Sequence, residues 1–521
     1  CSPLMLVDGA SAYIDAALAA TLFAVFAFCE AGAPGWLLGL LAGACFNIKY
    51  TAFLAIPYAG VRLLAGRRWK DLAVFACAAA AVVSPWLARN ALWYQNPFSP
   101  LLNAWFPNPW IHVSFEQDYA QSMRNYVGLE SWTAIPMELT VKGQVLGGFF
   151  GPLFLLAPVA LFALRTAVGR RLLAAGLLFA LPYAANVGAR FLLPALPFLS
   201  LAMALAPPLR WSNWILGLAA AGHAVSSFPD VPSLYCDEYA WRVRKLPLRQ
   251  ALRLETEPSW LSRKWPPYRV AKMIEAATPA GARVFSFSPV ADSYTTREVA
   301  VGFQSAIGER LRDHLLVALI MDFQPVLNHR FEFPAETLTG IRAVQTAAPE
   351  PRAPARDLWS IAEFRLFDGK QELERAADWR IDARPYPWDV SLAFDGSPVT
   401  RWRSWQWLEP GWHVSVTFGR PRRISRADLE MSADQYAVRM KLQGRTPAGQ
   451  WKDLQAAPKT SGMAPPLGLR RMAAAELKRA GFGFLLISED NFKWEDFGDK
   501  MELWGISEAG RCDNYRLYRI E

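Results

Sequence analysis

The amino-acid sequence predicts a protein of several domains, in which a polytopic α-helical membrane domain is followed by an extracytoplasmic α/β domain carrying an inserted β-sandwich. Hydrophobic residues make up 53% of the 521 residues, and the long apolar runs are concentrated in residues 1–228. Helix and strand patterns in 229–350 and 461–521 lie on both sides of another segment, which indicates one interrupted α/β domain. That segment, 351–460, combines short alternating strands with many tryptophans, as expected for a β-sandwich.

The first 228 residues contain about seven apolar runs of spanning or near-spanning length. These runs lie at 10–30, 35–48, 50–65, 72–92, 146–164, 172–188 and 191–207, with an eighth at 212–227.

Basic residues in the short loops between these runs predict the orientation in the membrane, because such loops are enriched in lysine and arginine on the cytoplasmic side. The arginines and lysine at 67–70, 165–171 and 210 mark three cytoplasmic loops in one alternating topology. Everything after residue 228 then lies on the extracytoplasmic side.

The net charge of +9 is explained by these loops and does not predict a nucleic-acid partner, because no basic patch is interleaved with base-stacking aromatics. The six cysteines have no spacing typical of a metal site. The sequence leaves open whether Cys236 and Cys512 form a disulfide.

Four charged residues are predicted to lie on the extracytoplasmic side of the membrane domain: Asp15, Lys49, Arg89 and Arg190. Ionisable residues within apolar segments are costly and tend to mark functional sites. The run 35–48 is about 21 Å long at 1.5 Å per residue, shorter than the hydrocarbon core, so Lys49 is expected beside a polar cavity. Plainer interpretations are a snorkelling lysine, a structural hydrogen bond for Asp15 and an interfacial anchor for Arg89.

Four short motifs in the first 227 residues resemble those of bacterial membrane glycosyltransferases of the GT-C superfamily, of the protein-mannosyltransferase and aminoarabinose-transferase type. The motifs are Tyr13-Ile14-Asp15, Gly43–Tyr50, Trp86–Asn90 with Asn96–Pro100, and Arg190–Pro197.

The resemblance implies an enzyme of a bacterial inner membrane that transfers a sugar from a polyprenyl-phosphate carrier to a glycan, lipid or protein acceptor on the periplasmic side. It assigns Lys49 to the carrier phosphate and gives Asp15 a supporting catalytic role. We predict that Arg89 and Arg190, on the same side of the membrane, also bind this phosphate. The sequence leaves open whether a divalent cation is used as a cofactor. The principal acid of this family follows its first membrane helix and has no counterpart here, so we expect that N-terminal helices are missing and that transfer requires a longer chain.

The segment 351–460 resembles a discoidin domain, of the coagulation-factor type C class. The resemblance rests on Ala393–Trp402, Trp412–Gly419, Tyr436–Arg439 and Trp451. It implies carbohydrate binding and, in some members, a structural calcium ion, here near Asp395 and Thr400. Two residues are too few for the six to eight oxygen ligands of calcium.

The tryptophans Trp402, Trp405 and Trp407 are candidates for a platform that stacks on sugar rings, although tryptophans at alternating strand positions are also typical of a sandwich core. A competing function is therefore a membrane-anchored carbohydrate-binding or scaffold protein without catalysis. A transporter is disfavoured, because neither inverted repeats nor midplane charges are recognisable.

Overall fold

The computed structural model divides the chain into two compact units, Cys1–Leu101 with Glu116–Leu252, and Leu102–Phe115 with Arg253–Glu521. The first unit is helical and the second contains the β-sheets, as the sequence predicts. The structure describes residues 2–11, 13–124, 128–205, 212–228, 231–235, 248–320, 326–346, 358–435 and 437–521. Cys236 lies outside them, and with it the possible disulfide to Cys512.

The first unit contains α-helices joined by several 3₁₀ segments. The α-helices are α1 (Pro3–Gly9), α2 (Asp15–Glu30), α3 (Gly35–Ile48), α4 (Ala55–Ala65), α5 (Trp69–Tyr94), α6 (Val113–Arg124), α7 (Ile135–Met137), α8 (Ala167–Ala180), α9 (Leu196–Ala204), α10 (Ser212–Ser226) and α11 (Leu248–Ala251). The longer 3₁₀ segments are Tyr50–Leu54, Pro152–Arg165, Leu181–Ala184 and Ala189–Ala195, and a π-helical turn covers Glu138–Lys142.

Two helices among the described residues are long and apolar enough to cross a membrane: Trp69–Tyr94 and Ala167–Ala184. Most of α5 is turned away from the protein, since only Phe75, Ala79 and Asn90 are buried on it. Apolar side chains left exposed along such a helix are typical of a membrane-facing surface. Shorter apolar helices are Gly35–Ile48, Tyr50–Ala65, Pro152–Arg165 and Ala189–Ala204. The structure thus indicates membrane association, whereas seven or eight complete spans remain a prediction.

Helices α3 and α5 pack closely because three glycines, four residues apart, lie on one face of α3. A β-carbon at Gly35 would lie 2.0 Å from the carbonyl oxygen of Asp71, and one at Gly39 would lie 2.4 Å from that of Phe75. Gly43 faces Val82 at 2.9 Å in the same way. Small residues with this spacing allow helix backbones to approach, as in membrane helix pairs.

A second cluster of charges lies at one end of the helical unit. Asp15 and Lys49 lie at the opposite end. Glu30, the last residue of α2, accepts hydrogen bonds from Arg62 at 2.9 Å and from Arg171 at 2.5–2.9 Å. Asp71 pairs with Arg68 and accepts the backbone N–H of Gly35 at 2.9 Å. Two of the three basic loops used to predict the topology, 67–70 and 165–171, therefore share one end of the helical unit with Glu30. The third, at Arg210, lies outside the described residues.

The second unit contains a five-stranded sheet with helices on both faces. Its strands are β1 (Arg283–Ser286), β2 (Glu298–Val301), β13 (Phe484–Ser488), β14 (Ile506–Cys512) and β15 (Tyr515–Ile520), and its helices are α12 (Glu257–Lys264), α13 (Pro266–Ala277), α14 (Ala306–Ile320), α15 (Leu469–Arg479), α16 (Trp494–Asp499) and α17 (Met501–Trp504).

The strand order in this sheet is β14-β15-β13-β1-β2, with β1 parallel to both β13 and β2. Side chains alternate along β1, so that Val284 packs on α13 while Phe285 packs on α14 and α15. The sheet is therefore the middle layer of an α/β/α arrangement, and the strands at 326–462 interrupt it along the chain.

The insert is an eight-stranded sheet and a two-stranded sheet around one aromatic core. Its strands are β3 (Val326–Gln345), β4 (Leu358–Ile361), β5 (Glu363–Asp368), β6 (Gln371–Glu372), β7 (Arg380–Arg384), β8 (Trp402–Trp407), β9 (His413–Ser432), β10 (Met440–Arg445), β11 (Trp451–Gln455) and β12 (Lys459–Gly462).

The insert begins earlier than the predicted boundary at residue 351, because the 20-residue strand β3 belongs to its larger sheet. The first and last strands of the insert are neighbours, since β12 pairs with the start of β3, with Gly462 opposite Leu327. The chain therefore re-enters the α/β domain beside the point where it left that domain.

We predict that Gly39→Val lowers the stability of the helical unit, because the new side chain would collide with the backbone of α5. Overpacking of this kind costs about 1–3 kcal/mol. The thermal midpoint of the full chain in detergent should fall. Gly217→Val is the matched control, since a β-carbon there meets no atom within 4 Å; equal midpoints for the two variants would contradict the close helix contact.

Candidate functional site

An ion pair between Asp15 and Lys49 forms the centre of the candidate site. Asp15 is the first residue of α2, and Lys49 follows the last residue of α3 in an extended conformation, just before the 3₁₀ segment Tyr50–Leu54. The Lys49 Nζ lies 2.5 Å from Asp15 Oδ1, and the Asp15 side chain is 3% exposed. The two residues that the sequence analysis predicts on one side of the membrane are therefore in direct contact.

Aromatic rings and Arg190 complete this charged cluster. The Lys49 ammonium lies 4.5 Å from the centre of the Phe191 ring. The Arg190 guanidinium lies 4.6 Å from the ring centre of Tyr13 and 5.0 Å from that of Phe191. Cations held over ring faces are stabilised by the ring quadrupole, most strongly where water is excluded.

Asp8 is a second carboxylate of the cluster that the sequence analysis did not select. Its side chain is buried, and its Oδ2 accepts the backbone N–H of Ala16 at 2.6 Å, whereas its Oδ1 has no hydrogen-bond partner. Burial raises the pKa of Asp8, the nearby charge of Asp15 adds to this, and Arg190 and Lys49 oppose it. An aspartate inside the apolar stretch 4–10 is the sequence signal that would have identified it.

Tyr50 connects Lys49 to the exit of α5. The Tyr50 hydroxyl donates to the carbonyl of Ser99 at 3.0 Å and accepts from Trp86 Nε1 at 2.8 Å and from Asn90 Nδ2 at 3.1 Å. Asn90 is buried, and its Nδ2 also donates to the carbonyls of Pro97 and Ser99. These hydrogen bonds hold the segment that follows α5 against the end of this helix.

The remaining predicted phosphate ligand, Arg89, is held elsewhere. Its guanidinium lies over the rings of Trp86 and Trp93, at 4.7 and 4.5 Å from their centres. This stacking agrees with the interfacial-anchor interpretation of Arg89. The charged cluster of Asp8, Asp15, Lys49 and Arg190 is thus built without it.

The space beside the ion pair is small. A cavity of about 10 Å³ is lined by both charged side chains together with Thr51, Phe191 and Pro194. That volume holds about one water molecule. A phosphate group would therefore need Lys49 or the neighbouring aromatic side chains to move.

The tryptophans proposed as a sugar platform are placed mostly in the interior of the insert. Trp402 is fully buried, and its Nε1 donates to the Tyr386 carbonyl at 2.6 Å. One face of Trp405 is covered by the His112 ring, stacked at 3.8 Å between centres. Of the three, only Trp407 is partly exposed. The buried positions of Trp402 and Trp405 agree with the interpretation that they are core residues.

The predicted calcium ligands Asp395 and Thr400 contact each other. The Thr400 hydroxyl lies 2.9 Å from both carboxylate oxygens of Asp395. Glu363 lies close by and accepts the backbone N–H of Gly396 at 2.5 Å. Burial raises the pKa of Glu363 to about 8, and the charge of Asp395 adds to this shift.

A metal site is not apparent in the part of the chain that the structure describes, where no group of three or more His, Cys, Asp or Glu side chains is arranged to hold an ion. The Asp395 loop is closed by its own hydrogen bonds. Structural calcium there remains a prediction from the discoidin resemblance.

No family model, no curated protein and no solved structure matches this chain. Its function must therefore be argued from the contacts of its own residues.

We predict that Lys49→Met destabilises the helical unit, because it leaves the Asp15 carboxylate buried without a counter-charge. Removing one partner of a buried pair costs about 3 kcal/mol or more. The double variant Asp15→Asn with Lys49→Met should recover most of the lost thermal midpoint, and Arg89→Met should leave it unchanged. A midpoint for Lys49→Met equal to that of the parent would show that the pair is not buried.

We predict that the insert loses stability as the pH rises from about 4.5 to about 8. Glu363 keeps its proton in the folded state up to about pH 8, whereas the ordinary carboxyl of the unfolded chain releases it near 4.5. Glu363→Gln should flatten this dependence, as measured by tryptophan fluorescence during thermal unfolding between pH 4 and 9. Glu372→Gln, on the exposed strand β6, should retain it; an unaltered slope in Glu363→Gln would contradict the assignment.

Proposed function

We propose that the chain belongs to an integral-membrane glycosyltransferase that uses a sugar carried on a polyprenyl phosphate and acts on the extracytoplasmic face of a bacterial inner membrane. The observation that carries the proposal is the contact of Asp15 with Lys49, next to Arg190. Two cations at the end of an apolar helical unit suit an anionic group attached to a lipid. Membrane association rests on the two helices of spanning length.

Lys49 is the residue that we propose to bind the carrier phosphate. An ammonium group has three donors, and one of them is used by Asp15, so phosphate can be bound while the ion pair stays intact. Asp15 then acts as a positioning residue that holds the ammonium in place. Arg190 adds a planar donor that matches phosphate oxygens.

Two cations and two carboxyl groups determine how the cluster interacts with an anion. Asp15 offsets one of the two cations, Lys49 and Arg190. Because burial raises the pKa of Asp8, that carboxyl contributes less negative charge than an exposed one would. The repulsion between Asp8 and a phosphate bound by Lys49 and Arg190 is correspondingly weaker.

An apolar groove supplies room for part of the lipid chain. Its volume is about 440 Å³, and its lining includes Met5, Phe154, Leu196 and Met203. Leu196 begins α9 directly after the 3₁₀ segment Ala189–Ala195, which carries Arg190. The groove and the charged cluster are therefore connected through one stretch of chain.

The chemistry would be a displacement at the anomeric carbon. The oxygen of an acceptor hydroxyl forms a bond to this carbon, the bond from the carbon to the phosphate oxygen breaks, and the hydroxyl proton passes to a carboxylate base. Polyprenyl phosphate leaves with the electron pair. Lys49 and Arg190 would stabilise the charge on this leaving group.

The second candidate function is a membrane-anchored carbohydrate-binding or scaffold protein without catalysis. The small cavity beside Lys49 favours it, because about 10 Å³ admits one water molecule rather than a phosphate. In this alternative the ion pair only joins α2 to α3.

The test is the binding of decaprenyl phosphate to the full chain in lipid nanodiscs, with decaprenol as the uncharged comparison. We expect binding of the phosphate only, weakened roughly tenfold by Lys49→Gln and by Arg190→Gln, since each removes a charge-assisted hydrogen bond. Native mass spectrometry would measure the bound fraction.

Arg170→Gln is the matched control, since this exposed arginine donates to the carbonyl of Leu164 and directly precedes Arg171, which pairs with Glu30 at the other end of α2. It should bind like the parent. Equal binding of decaprenyl phosphate and decaprenol, or no effect of Lys49→Gln, would favour the scaffold alternative.

A further inference from the structure

The carboxyl ends of β1 and β13 form a topological switch point in the five-stranded sheet. The chain leaving β1 passes to β2 on one side, whereas the chain leaving β13 passes through α16 and α17 to β14 on the other side. Loops that diverge from adjacent parallel strands leave a crevice between them. In open α/β sheets, ligands bind in this crevice.

Polar side chains from three loops meet at this crevice. Ser288 follows β1, Asn491 follows β13, and the Asn491 Nδ2 donates to Ser288 Oγ at 3.1 Å. Asn514, from the turn between β14 and β15, donates to Asp490 Oδ2 at 2.6 Å and to Ser488 Oγ at 3.2 Å. Residues more than 200 positions apart are thus brought together by the sheet.

The innermost part of this group is rigid, and its outer part is accessible. Ser488 is buried, and its hydroxyl donates to Asp490 at 3.1 Å. Asn491 Oδ1 accepts the backbone N–H of Ser488 at 2.9 Å, which fixes the orientation of its amide. Asp490 itself is exposed, and Ser288 and Asn514 are partly exposed. Side chains that are fixed by buried hydrogen bonds and remain accessible to solvent are preorganised for a ligand.

Two aromatic residues directly follow members of the polar group in the sequence. Phe492 directly follows Asn491 and is 56% exposed. Tyr515 begins β15 next to Asn514 and is paired with Ser488 of β13 in the sheet. An exposed ring beside hydroxyl, amide and carboxylate groups can cover an apolar face of a ligand whose edge is polar.

We propose that this crevice binds a sugar residue, with its hydroxyl groups on Asp490, Asn514 and Ser288 and one face of the ring on Phe492. Sugar hydroxyls both donate and accept, as do the serine hydroxyls and asparagine amides here. An anion is disfavoured by the negative charge of Asp490, whereas the adjacent Glu489 is paired with Arg516 at 2.7 Å. A bound cation is disfavoured because a single carboxylate faces the crevice, fewer than hard cations require.

This site is separate from the charged cluster of the helical unit and from the tryptophans of the insert. The proposal of this site does not depend on whether the chain transfers sugar from a lipid carrier. In a glycosyltransferase it would hold part of a glycan, and in a scaffold protein it would be a binding site in its own right.

The experiment is saturation-transfer NMR on the full chain in lipid nanodiscs, because detergents with sugar headgroups would compete. The probes are D-glucose, D-galactose, D-mannose and N-acetyl-D-glucosamine. We expect at least one probe to bind with a Kd of about 1 mM, and Asp490→Ala to weaken that binding roughly tenfold through loss of a charge-assisted hydrogen bond. Asn514→Ala should also weaken it and serves as a second variant if Asp490→Ala does not fold.

Two controls make the outcome specific. Asp453→Ala removes an exposed aspartate of the insert and should leave binding unchanged, as should Trp407→Ala. If no probe shows saturation transfer, or if binding persists in Asp490→Ala and Asn514→Ala but is lost in Trp407→Ala, the proposed site is wrong. Thermal unfolding of each variant confirms that the fold is retained.

Discussion

The helical unit depends on keeping two opposite charges together out of water. An aspartate and a lysine removed from solvent each lose several kcal/mol of hydration, and only close contact compensates for the loss. Asp15 and Lys49 meet because α2 begins where α3 ends, and α3 is held in place by its glycine contact with α5. The Glu30 cluster fixes the far end of α2. Helix length, helix packing and the position of the charges are therefore consequences of one another.

Much of this arrangement could be predicted from the sequence because membrane-associated helices obey simple rules of length and charge. The apolar run 35–48 coincides with α3, and two of the three basic loops lie at one end of the unit with Glu30. Asp8 was missed because α1 is a short helix outside any spanning run, and its partners come from other segments. The position of Arg89 depends on two neighbouring rings, and spacing along the chain carries no information about such stacking.

In the second unit, the order of elements was predictable and the roles of side chains were not. Alternation predicts short strands in the insert, whereas β3 and β9 are each 20 residues long. An aromatic residue also satisfies alternation equally well on a core face or on an exposed face. Trp402 and Trp405 are interior residues because the short sheet β4-β8 and the His112 ring cover them. Likewise, the predicted start of the insert at residue 351 excludes β3, because β3 joins the insert by pairing with β9, about 85 residues later. Such pairings are tertiary, and local patterns do not encode them.

The pairing of β12 with the start of β3 has a consequence for how the chain was assembled. Neighbouring strands lie about 4.8 Å apart, so the insert occupies more than a hundred residues of chain while its two ends almost touch. For the α/β sheet, the insert is then equivalent to a short loop between α14 and α15, and little closure entropy opposes it. A domain with this geometry can be acquired, exchanged or lost in evolution while the sheet that bears it keeps its strand order and its crevice.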